Sequence, residues 1–104
     1  MNTITSLWTK DALDSALLTR FRALDEMTNS LSLMLVRVAE DCEPSETLGA
    51  LSLLLRGPVR LTWHEDDYTL HHKSLGQSMV NLKPVGRDAD GVYYEGRFPV
   101  ALTI

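Results

Sequence analysis

A chain of 104 residues, 44 % apolar and 23 % charged, is the right size for one domain and can bury a core, which excludes intrinsic disorder. Its net charge of −4 is uneven: residues 1–50 hold four basic against eight acidic side chains, and residues 51–104 hold six of each. Neither half has a basic cluster, so no nucleic-acid partner is expected.

The longest nearly apolar runs, "LSLMLV" and "LSLLL", fall far short of the ~20 residues that cross a bilayer, so no membrane partner is expected either. "MNTITSLW" shows no basic stretch followed by an apolar one, as a secretory signal would. Cys42 is the single cysteine and cannot close an internal disulfide, so a cytoplasmic location is expected. Composition changes once, near Gly57, from Ala, Leu, Met and Glu to Val, Thr, Tyr and turn residues. The reading is a single domain over 1–104, with a helical half (1–57) and a β half (58–104).

From Lys10 to Asp41 apolar residues recur at helical spacing: Leu13, Leu17, Phe21, Leu24, Leu31, Leu35 and Val38 share one side. This predicts one long helix N-capped by Thr9, with two collinear pieces broken near Asn29 as the alternative. Such a helix would be about 48 Å long, more than a domain of this size can cover. Pro44 opens a second, short helix that runs to Arg56, and Gly57 caps it before Pro58.

Two hairpins follow. "PVRLTW" and "YTLHH" pair with Glu65-Asp66 at the tip, which sends Val59, Leu61, Trp63, Tyr68, Leu70 and His72 inward and Arg60, Thr62, His64, Asp67, Thr69 and His71 outward. "SMVNLKPVG" and "VYYEGRFPVALTI" pair around "RDADG", with Val92, Tyr94, Phe98, Val100, Leu102 and Ile104 on one face. Pro99 there marks an edge or a bulge. The expected fold is therefore α+β, an N-terminal helical hairpin packed on a four-stranded antiparallel sheet.

The densest chemistry is "WHEDDYTLHH", residues 63–72. Alternation along a strand sends His71 and His72 to opposite faces, which leaves too few convergent groups for a zinc site. "DADG" resembles the start of a calcium loop, but the closing glutamate is missing and a glycine turn fits better. Asp41 and Glu43 flank Cys42 and disfavour its thiolate. No nucleophile turn or phosphate-cradling glycine loop is present. No catalytic, metal or cofactor residues are assigned.

Two oddities mark a second surface on the long helix. Leu18, Leu33 and Val36 fall on its polar side, while Arg20 falls on its apolar side, where an unpaired charge is costly to bury. A partner protein, foreign or a second copy in a homodimer, would cover the first three and pair the fourth. The expected function is a non-catalytic protein-interaction protein, a small cytoplasmic regulator or inhibitor of the sort phages and other mobile elements encode. The alternative is a small metal- or ligand-binding enzyme using His64, Asp67, His71 and His72. If His72 is buried neutral, its folded pKa should lie below the unfolded one.

Overall fold

The computed structural model describes residues 8–41 and 48–101. Strict alternation dominates it. In "SLSLML" (30–35) Leu31, Leu33 and Leu35 are buried while Ser30 and Ser32 are exposed, the period of a half-buried strand. One helix, α1 (Lys10–Ser15), precedes six strands: β1 (Arg20–Leu24), β2 (Ser30–Asp41), β3 (Leu48–Gly57), β4 (Asp66–His72), β5 (Gly76–Asp88) and β6 (Gly91–Ala101). All neighbours are antiparallel in the order β1-β2-β3-β6-β5-β4, and β4 pairs back onto β1 to close a barrel. No helix among the described residues is long and apolar enough to cross a membrane.

The expected α+β fold is overturned. Residues 20–57, read as two helices, contribute three barrel strands, and the four-stranded sheet is part of a six-stranded closed one. A bulge produced the misleading spacing. The β2–β3 register shifts between Leu35 and Arg37, so the inward series passes from Leu31, Leu33 and Leu35 to the half-buried Val38. Positions 31, 35 and 38 then stand four and three apart, as on a helix face. In "LSLLL" the inward residues are Leu51, Leu53 and Leu55, with Ser52 and Leu54 half-buried outside. Leucine's helix propensity is overridden there by tertiary packing.

Residues 25–29, which the helix reading ran through, are the β1–β2 turn. The Asp25 carboxylate organises it, accepting from the backbone N–H of Met27 (2.9 Å) and Asn29 (2.9 Å) and from the Asn29 side-chain amide (3.0 Å). Those bonds, the side-chain one foremost, hold Asp25 below the usual carboxylate range.

Side chains fill the barrel, with Phe21, Leu33, Leu53, Leu70 and Tyr94 among those it buries almost completely. One end is covered by α1. Thr9 does cap it, accepting from Ala12 N–H at 3.1 Å, but the helix runs for only six residues. Leu13 is fully buried, and Trp8 packs edge-on against Phe21 at 5.6 Å while its indole N–H donates to Leu75 O at 3.1 Å.

Residues 58–65 cover the other end as a loop, so the expected pairing of "PVRLTW" with "YTLHH" is also corrected. β4 pairs with β5 and β1 instead. Two tyrosines hold this loop: Tyr94 Oη accepts from Trp63 N–H (3.0 Å), and Tyr68 Oη donates to His64 O (2.6 Å). Val59 and Leu61, expected inward, are exposed. The faces expected within the second strand stand: Tyr68, Leu70 and His72 are buried and Asp67 and His71 are exposed.

The second hairpin forms as β5 and β6. Asp88 shapes its turn by accepting from Asp90 N–H (2.8 Å), Gly91 N–H (3.2 Å) and the Tyr93 hydroxyl (2.9 Å). The β5–β6 ladder ends at Arg97, so Pro99 lies where β6 pairs only with β3. The readings on Cys42, Pro44, Leu102 and Ile104 fall outside the described residues.

Candidate functional site

The fold assembles a cationic groove that the sequence disperses. On β1, Phe21 and Ala23 point inward, so Arg20 and Arg22 point out. Register sets Arg22 opposite His71 on β4 and opposite Ser32 on β2. Lys73 follows directly after β4. The resulting groove of about 430 Å³ is lined by Thr19, Arg20, Arg22, Ser30, Ser32, His71 and Lys73, with Phe21 and His72 beneath.

The described ion pair Lys10–Asp14 (2.6 Å) and the contact of His64 with Asp66 (3.6 Å) involve none of Arg20, Arg22 and Lys73. Two guanidinium forks and an ammonium beside serine hydroxyls form a site for carboxylates or other oxyanions. The sequence signal of this groove is the alternating "RFR" of 20–22, hidden because its partners lie some fifty positions away at 71–73.

His72 forms the floor. The Thr19 hydroxyl donates to Ala16 O, so its oxygen can only accept from the imidazole at 3.0 Å, which places a proton on Nε2. Nδ1 accepts from the Ser74 backbone N–H at 3.1 Å. The ring lies 4.5 Å from Phe21, centroid to centroid. This network satisfies a neutral imidazole and has no room for a second ring proton. Burial, then the charges of Lys73 and His71, push the pKa down from 6.5.

A group with a depressed folded pKa gives stability that is present in full above the unfolded value. That stability is lost as pH falls through the unfolded value toward the folded one. Urea titrations should therefore show the protein weakening as pH drops below about 6.5, histidine's reference value. His72→Gln should flatten that part of the profile, and an unchanged slope would contradict this protonation state.

The other singled-out residues are scattered. Leu18 is 68 % exposed in the turn after α1, with φ +65° and its N–H donating to Leu35 O at 2.7 Å. Arg20 is exposed and lines the groove, so it is not a buried charge. Leu33 is fully buried in the barrel, and Val36 is half-buried at the β2 bulge. The four share no helix face, because that helix does not exist. Leu33 belongs to the core.

His64, Asp67, His71 and His72 do not converge. His64 is on the loop at the far end, and His71 and His72 face opposite sides of β4. Among the described residues no group of three or more His, Cys, Asp or Glu could hold a metal ion.

A second groove, about 320 Å³, lies at the 58–65 end between the β1–β2 turn and the loop. It is acidic, lined by Asp25, Glu26 and Asp66 together with Met27, Trp63, His64 and Tyr68.

The model of a domain family of unknown function, DUF6916, matches residues 8–98, nearly the whole chain, and the chain belongs to that family. No curated protein and no solved structure matches it.

Proposed function

We propose that this DUF6916 member is a non-catalytic protein-interaction protein, a small cytoplasmic regulator or inhibitor, that engages its partner through the outer face of β1 and β4. The observation that carries this reading is the groove of Arg20, Arg22 and Lys73, three cations without a described acidic neighbour in a chain of net charge −4. Solvated cations alone would be ordinary. These converge on one concave surface with Ser30 and Ser32, and an acidic segment of a partner protein matches that surface in charge and hydrogen bonding. The barrel interior is packed with side chains, so binding falls to the outer face. Cytoplasmic placement rests on Cys42 being the single cysteine.

Lys73 supplies a direct test, because carbodiimide joins an ammonium to a carboxylate only where the two already touch. Treatment of the protein with a native-host extract should couple the Lys73 peptide to an acidic peptide of another polypeptide chain. The variant Arg20→Glu, Arg22→Glu should lose that product while remaining folded. A Lys73 that couples to no other chain would overturn the proposal.

A further inference from the structure

The outer face of β1 and β4 concentrates basic side chains where the barrel gains nothing from them. Register sets Arg22 opposite His71, and both point out because the next pair, Ala23 and Leu70, is buried. Carried one same-face row further, that register sets Arg20 level with Lys73, just past the end of β4. Cross-strand neighbours stand about 5 Å apart and successive same-face rows about 7 Å apart. Three permanent cations and an imidazole thus mark the corners of one small rectangle. No described aspartate or glutamate lines the groove they share. Like charges placed in this way destabilise a sheet.

The same crowding suits an oxyanion of high charge density. A carboxylate brings one charge and two oxygens, which a single guanidinium fork satisfies. A phosphate monoester brings nearly two charges and three acceptor oxygens to one point. Above the middle of the rectangle it is within reach of both guanidinium groups, the Lys73 ammonium and the His71 ring. Ser32, opposite Arg22 on β2, adds a hydroxyl donor at the edge. A nucleic acid or an anionic membrane engages cations spread along an extended surface. Here they gather in one groove of a chain whose net charge is −4, which matches a single phosphate on a polypeptide. At about 430 Å³ the groove is far larger than one phosphate group, so the residues on either side of a modified one have space as well.

We infer that the groove takes a phosphate monoester carried by the partner, a phosphorylated side chain held by Arg20, Arg22 and Lys73. This rests on the reading of the face as a protein-binding surface and names what that surface recognises.

Four probes test it: inorganic phosphate, and three peptides of one glycine- and alanine-rich sequence with phosphoserine, glutamate or serine at the centre. Amide shifts followed by nuclear magnetic resonance report binding at about pH 7.5, above the second phosphate pKa of about 6. The phosphoserine peptide should shift residues 19–22, 30–32 and 71–73. It should bind about tenfold or more tightly than the glutamate peptide or inorganic phosphate, the difference that one additional charge-assisted contact makes. Arg22→Gln should weaken it by a similar factor, with the remaining amide spectrum showing an intact barrel. A glutamate peptide that binds as tightly as the phosphoserine one would overturn the phosphate and leave an acidic segment as the occupant. Inorganic phosphate that binds as tightly would overturn the polypeptide carrier. No shift with any probe, or an Arg22→Gln variant of unchanged affinity, would overturn the site itself. Carbodiimide coupling of Lys73 then decides the protein-binding reading separately.

Discussion

Leu33→Ala should destabilise the protein by about 2–5 kcal/mol, the cost of emptying a fully buried leucine site that its surroundings cannot refill. Leu18→Ala should change stability by less than about 0.5 kcal/mol, because that side chain is mostly in solvent. Urea midpoints of the two variants measure the difference. On a long amphipathic helix both leucines would lie on the polar face and cost alike. In the barrel, Leu33 sits between Leu31 and Leu35 in the inward series of β2, and Leu18 sits in a turn outside it. Equal, small losses would contradict the barrel register of β2.

Gly91→Ala is the second large effect. A Cβ at this first residue of β6 would be driven into the carbonyl oxygen of Gly57 and would stand 2.8 Å from Arg56 Cγ. Backbone meets backbone here, so no rotamer change relieves the clash, and β3 and β6 must separate where their ladder ends. The cost should be about 3 kcal/mol, at the upper end of what overpacking exacts. Gly86→Ala is the control, since an added Cβ there meets nothing within 4 Å. Comparable losses in both variants would mean that β3 and β6 do not approach as closely as described.

In the carboxy-terminal half the 68–72 strand and the second hairpin were legible, because alternation along β4 is clean and the hairpin turn announces itself, whereas residues 58–63 form a loop instead of the expected strand. Tyr68, Leu70 and His72 were placed on the correct face from period two alone. Asp88 to Gly91 read as a turn because an aspartate ahead of glycine can satisfy the loop N–H groups, as Asp88 does. The amino-terminal half misled for two physical reasons. The bulge at Val36 put Val38 three residues after Leu35, beside the spacing of four from Leu31 to Leu35 that period two already contains, and leucine fills both helices and barrel interiors. The tension in the helix reading was visible as a rod of about 48 Å that no domain of this size could cover, and as Arg20 stranded on an apolar stripe. Both vanish once residues 26–29 turn the chain back on itself.

The groove was not legible. Arg20 and Arg22 belong to a half with net negative charge, and His71 and Lys73 lie fifty residues on in a neutral one. Charge counting along the chain cannot see a cluster that only a β1–β4 ladder assembles. The register of Arg22 with His71 is the long-range contact that creates it. Arg20 and Leu18, misfits on a helix, stand in the open at the α1 end of the barrel.

The proposed binding face exists only because β1 closes the barrel against β4. Cross-strand nuclear Overhauser effects between residues 22–24 and 69–71 measure that closure without reference to any partner. Backbone contacts in the order Arg22 to His71, Ala23 to Leu70 and Leu24 to Thr69 are the expected result. Sequential amide–amide contacts running through residues 20–41, with none between β1 and β4, would restore the helix, disperse the cations and contradict the proposed face.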